Sequence, residues 1–153
     1  MEELAAALRD LHRALTERVR RDYEREHHGL LSPGTFLHLL ISDPRLAWIR
    51  PLSELMVDLD VFLQADPSPT EDEAAAVRAE VERFRRNEPR EASESFATFA
   101  RQYWPYISDD AQIAMAHARA IQAIQGLPEA ASVNEAEVLH ERHRWAELRR
   151  HRR

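Results

Sequence analysis

The sequence predicts an all-α fold, an irregular antiparallel helical bundle of six to seven helices with proline-bent segments. Three observations carry that expectation. Apolar residues recur at steps of three and four along most of the chain. Alanine and arginine, both good helix formers, are abundant, and only Gly29, Gly34 and Gly126 interrupt them as glycines. No segment shows the apolar–polar alternation of a strand bounded by turn pairs. A length of 153 residues suits a single helical domain over 1–153, and a chain of that size buries roughly 70% of its unfolded surface.

From Glu2 to His27, Leu4, Leu8, Leu11, Leu15 and Val19 form one stripe among charges, the pattern of a helix buried on one side and ended at Gly29. Ser32 caps a short helix with Pro33 at its first position. Phe36, Leu37, Leu39, Leu40 and Ile41 make that helix apolar around most of its circumference, which predicts a central position. His38 falls on its least apolar side and receives no role. Asp43-Pro44 repeats the cap-then-proline signal and opens a turn through Leu46, Ala47, Trp48 and Ile49. Pro51 removes a backbone donor and disfavours helical geometry at Arg50, so a bend is expected before a helix whose stripe is Leu52, Leu55, Met56, Leu59, Phe62 and Leu63.

Residues 65–69 read as a stiff loop, and Thr70 with Glu73 forms a capping box for the helix carrying Val77, Val81 and Phe84. A break at Asn87-Glu88-Pro89 precedes Phe96, Phe99 and Tyr103, which share a face until a bend at Pro105. Ser108, followed by two aspartates, is the expected start of a helix carrying Ile113, His117, Ala120, Ile121 and Ile124 and stopped by Gly126. Ser132 with Glu135 caps a last helix over about 132–150, a span of roughly 30 Å.

Composition removes whole classes of chemistry. Without cysteine there is no disulfide framework, thiolate zinc site, iron–sulfur ligation or cysteine nucleophile. A start without a basic, apolar leader and the lack of any apolar run near 20 residues point to a cytoplasmic protein with no membrane span. The basic complement is entirely arginine, the codon habit of a GC-rich bacterial genome. No glycine-rich phosphate loop, Gly-x-Ser-x-Gly elbow or dinucleotide unit is present, which leans the reading away from an enzyme, and no cofactor is predicted.

Three candidate sites remain. Trp48, Arg50 and Tyr103 gather aromatic and guanidinium groups beside proline bends, where a bundle opens a small-molecule pocket. His117 joins them because a ring on an apolar face needs a partner. The plainer expectation is that the aromatics fill helix corners and that His117 bonds a backbone carbonyl, with His12 either its neighbour or exposed.

A carboxylate–histidine metal site is the second candidate. Glu24-x-x-His27 and Glu137-x-x-His140 have the helical i, i+3 spacing that aims two ligands at one metal pair, with Asp58 and Glu80 beside the stripes of two further helices. Both Glu-x-x-His pairs sit near helix ends rather than at mid-bundle, so solvated surface pairs are the favoured alternative. His140-Glu141-Arg142-His143 misses the i, i+4 histidine spacing of a zinc-protease helix.

The third candidate is an interface. Residues 140–153 carry six arginines against two acids, or +4, leaving −10 on the preceding 139 residues of a chain of net charge −6. Such a tail fits contact with nucleic acid, anionic lipid, or an acidic face of the same or a second copy, and the acidic body disfavours nucleic acid. Val138, Trp145 and Leu148 lie near one face of the last helix, with Arg149 beside them, and a symmetric homodimer would cover them. The sequence therefore predicts a non-enzymatic helical interaction or assembly module that self-associates. A metal-dependent bundle protein and a small-ligand-binding protein are the alternatives.

Overall fold

The computed structural model describes residues 1–64, 70–85 and 94–129, with positions 143, 144, 147, 148, 150 and 151. The order of elements is α1 (Glu2–Glu26), α2 (Pro33–Ser42), a 3₁₀ turn (Ala47–Ile49), α3 (Arg50–Leu63), α4 (Glu71–Arg85), α5 (Glu94–Asp109) and α6 (Ala111–Gln125). Among the described residues all regular structure is helical. The fold is all-α, as the periodicity predicts.

Helix α1 is the spine. Leu4, Leu8, Leu11, Leu15 and Val19, the stripe read from sequence, are all buried. Against them lie Ile113, Ala116, Ala120, Ala123 and Ile124 of α6, whose small residues let the two axes come close. The pair runs antiparallel: Arg18, late in α1, reaches Asp110 at the start of α6, whereas Leu8 and Leu11 share a cavity wall with Ala120 and Ile121. On its other side α1 runs antiparallel to α3, with Arg9 on Asp60 at 2.7 Å and His12 on Ser53 at 2.8 Å. The stripe of α3 buries Leu52, Leu55, Leu59 and Phe62.

Local signals explain most helix ends. Ser32 accepts from the Thr35 amide at 3.1 Å with Pro33 at the first position of α2. Thr70 and Glu73 make the reciprocal capping box before α4, at 2.8 and 3.3 Å. Arg78 on α4 donates to the Leu127 carbonyl at 2.7 Å and to Glu129 at 2.9 Å, satisfying a carbonyl just beyond the C-terminal end of α6.

Several expectations are corrected. Pro105 does not end its helix, because α5 continues through it to Asp109. Arg101, whose carbonyl loses its helical donor to the proline, is exposed together with Pro105, so the broken bond falls on the solvent side. Ser108 consequently belongs to α5, where it bonds the Trp104 carbonyl at 3.3 Å. The cap of α6 is Asp110, which accepts from the Gln112 and Ile113 amides. Pro51 does not bend its helix either: it occupies the first turn of α3, where its missing N–H is not needed, and Arg50 before it is helical. Gly29 and Gly126 close their helices without left-handed geometry, and His28 takes φ 51° in the turn after α1.

The largest correction concerns α2. It is peripheral rather than central, with Phe36 its one buried side chain and the 3₁₀ turn its main contact. Leu39 and Leu40 are only partly buried against the core: a ten-residue helix flanked by turns reaches few neighbours, and uniform apolarity does not create more.

Candidate functional site

Two regions hold the residues with chemical potential: the polar groups enclosed among α1, α3, α5 and α6, and the outer face of α2. Inside, the Tyr103 hydroxyl lies 2.8 Å from Nδ1 of His117. Burial pushes the Tyr103 hydroxyl well above its ordinary value. The phenol keeps its proton, and its hydrogen bond with Nδ1 satisfies a buried hydroxyl. Phe99 stacks on Tyr103 at 4.8 Å between centroids, and Trp104 meets His117 edge-on at 5.6 Å. Trp48 continues the cluster, parallel to Tyr106 at 5.8 Å and tilted against Phe99 at 6.1 Å.

The predicted pocket set is thus partly assembled. Trp48, Tyr103 and His117 belong to one aromatic cluster, and the Tyr103 hydroxyl is one hydrogen-bond partner of His117. Arg50 is not part of it: its guanidinium is exposed and donates to the Ile41 carbonyl at 3.3 Å. A cavity of about 20 Å³ lies beside Tyr103 and His117, walled otherwise by aliphatic side chains and Phe99. That is room for about one water molecule.

His12, on the opposite flank of α1, is not a neighbour of this ring. Its Nε2 lies 2.8 Å from Ser53 Oγ between α1 and α3, and burial lowers its pKa below the usual histidine range. A histidine on a serine hydroxyl is the first requirement of an activated nucleophile. Both residues sit inside helices, His12 in α1 and Ser53 near the start of α3. The contact therefore joins two helices. Ser53 carried no signal in the sequence beyond its place beside the Leu52–Met56 stripe.

Of the metal candidates, Glu24 and His27 are engaged in local structure. Glu24 accepts from Arg20 at 3.0 Å and from the Leu31 amide at 2.8 Å, and these bonds, the amide first, hold its carboxyl below the usual range. His27 bonds the Tyr23 carbonyl through Nδ1 at 2.9 Å and stacks on the Tyr23 ring at 4.0 Å. Asp58 and Glu80 are the two charged residues buried among the described residues, at 2% and 1% exposure. Glu137 and His140 lie outside the described residues. Among those described, no three His, Asp or Glu side chains converge as a metal site would require.

Of the interface candidates, Val138, Trp145 and Arg149 lie outside the described residues, and Leu148 is exposed. Arg144 in the same basic stretch pairs with Glu73 of α4, so one positive charge of this segment is spent on the chain's own acidic surface.

The sequence reading missed the surface presented by α2. Leu37 and Ile41, one turn apart, are 58% and 66% exposed, and Leu30 before the helix is 92% exposed. No Asp, Glu, Lys or Arg occurs from Leu30 to Ser42, in a chain that is 31% charged. Both ends of this helix are nonetheless tied to α1. At the front, Glu24 holds the Leu31 amide and Arg20 donates to the Leu31 carbonyl. At the back, the C-cap Asp43 bonds Arg45, whose guanidinium donates to the Tyr23 hydroxyl at 3.1 Å and lies over its ring. The apolar face is held in place by polar clamps at its edges.

No family model, curated protein or solved structure matches this chain.

Proposed function

We propose that this chain is a non-enzymatic helical interaction module of the bacterial cytoplasm, one that assembles as a homodimer with α2 at the contact. The observation that carries the reading is the uncovered, uncharged face of α2 with its clamped ends. Fully burying a leucine or isoleucine contributes about 1.5–3 kcal/mol, which the isolated chain leaves unused at Leu37 and Ile41. Patches of this kind on monomers mark contact sites.

The described interior holds polar contacts that join helices. Its hydrogen-bonded polar pairs, His12 with Ser53 and Tyr103 with His117, answer one another across helix contacts, and the cavity beside the second is sized for about one water rather than for a metabolite. Nucleic acid is disfavoured as a partner by the acidic body and by the Arg144–Glu73 pair. No described helix is long and apolar enough to cross a membrane.

Sedimentation of the full chain across the micromolar range tests the reading. A mass that rises with concentration, and falls back to the monomer in Ile41→Glu, is the expected result. A monomeric mass throughout ends it.

A further inference from the structure

Resting on the reading of α2 as the contact face, we infer how two copies meet. The α2 helices pack antiparallel across a two-fold axis beside Leu37 and His38, with Ile41 of each copy seated over Gly34 of the other.

The register follows from spacing. Gly34, Leu37, His38 and Ile41 are successive positions of one i, i+3, i+4, i+7 stripe, about 10 Å long, and all four are exposed. An antiparallel pair centred between 37 and 38 sets 34 opposite 41 and 37 opposite 38. The largest aliphatic projection at one end of the stripe thereby faces the residue with no side chain at the other. This face is complementary to itself, which is what an isologous contact requires. A partner of different sequence would need a separate match at each position.

Gly34 supplies a second, independent reason. A Cβ built on it meets nothing within 4 Å, and its φ is not in the left-handed region. No contact within the chain requires glycine at this position, which lies in the first turn of α2. Close approach by a neighbouring helix accounts for it.

Charge agrees. Residues near a two-fold axis meet their own copies, and this stripe carries no Asp, Glu, Lys or Arg to face its like; His38, its one polar side chain, lies beside the axis. Antiparallel packing also lays each helix C-terminus beside the partial positive charge of the other N-terminus. Leu30, Leu37 and Ile41 expose on the order of a few hundred Å², less than the roughly 800 Å² per partner of a standard interface, which places the contact among small, concentration-dependent ones.

The test is a size swap read by sedimentation. Gly34→Leu should weaken dimerisation about tenfold or more while the helical circular dichroism stays at the parent level. Adding Ile41→Ala to it should restore most of the affinity by reopening the space. The chain has no cysteine, so Leu37→Cys offers an unambiguous readout that does not depend on Gly34. It should form an intermolecular disulfide on mild oxidation, whereas Val57→Cys, exposed on α3, should not. Dimers that dissociate with Ile41→Glu, yet ignore Gly34→Leu and fail to cross-link through Leu37→Cys, overturn this pairing and leave α2 as the contact face. A monomer at every concentration, or a dimer indifferent to Ile41→Glu, overturns both.

Discussion

Helices α1 and α2 carry comparable aliphatic side chains and are used in opposite ways. In α1 the apolar residues are confined to one stripe among charges, and every member of that stripe is buried against α3 and α6. In α2 they surround the helix, and only Phe36 is buried. The difference teaches that the arrangement of apolar residues locates a helix better than their number. A single stripe names the side that needs a neighbour, while an all-round apolar helix asks for more neighbours than a ten-residue segment between turns can reach. Polar contacts then decide where the surplus goes: the clamps at Leu31 and Asp43 hold α2 beside α1 and leave Leu37 and Ile41 outward.

The contrast is broken most directly by deletion. Leu15→Ala, at a fully buried position in α1, should lower the unfolding free energy by about 3 kcal/mol in urea titration. Ile41→Ala, measured where the chain is monomeric, should change it by less than about 0.5 kcal/mol. Equal losses at the two sites would mean that α2 is packed in solution.

Next in size are the polar contacts on the core side. Asp110→Ala removes both the cap of α6 and the partner of Arg18, which lies 3.1 Å away. A loss of about 1–2 kcal/mol is expected, and a smaller one in Asp110→Asn, which still caps. Tyr103→Phe removes the hydrogen bond between the buried hydroxyl and His117 and should cost about 1 kcal/mol, with thermal unfolding as the readout.

The smallest expected effect is a dependence on pH. Burial lowers the pKa of His12 in the folded chain relative to the unfolded one, near 6.5. The unfolded state therefore binds the proton more tightly, so the stability is full above about pH 6.5 and is lost as pH falls toward the folded value. His12→Gln, which keeps a polar contact for Ser53, should flatten that part of the profile. Below it Asp110 takes over. Its burial would raise the carboxyl, but the bonds from Arg18 and the Ile113 and Gln112 amides prevail and depress it. Its contribution is accordingly present above the ordinary carboxylate range and disappears as pH falls through the folded value. A profile for His12→Gln identical to that of the parent would remove His12 from the account.

Much of this was legible beforehand where the physics is local. The stripes of α1 and α3, the Ser32 cap and the Thr70–Glu73 box depend on residues within one or two turns, and they stand as the spacing predicts. Prolines misled because their cost depends on surroundings: Pro105 and Arg101 face solvent, and Pro51 falls in a first turn. The candidate sites were legible only as ingredients. That His117 needs a partner followed from its face, but that the partner is Tyr103 followed from the one-residue connection at Asp110, which folds α5 back along α6.

By itself, then, the sequence determined that this chain is helical, which sides of α1, α3 and α6 are buried and where several helices begin, because periodicity and capping act over a few residues. Only the tertiary structure decided that α2 lies at the edge, that His12 meets Ser53, and that the cavity is small. Each of those outcomes depends on competition among distant segments for the same surface of α1, and no local pattern records who wins it.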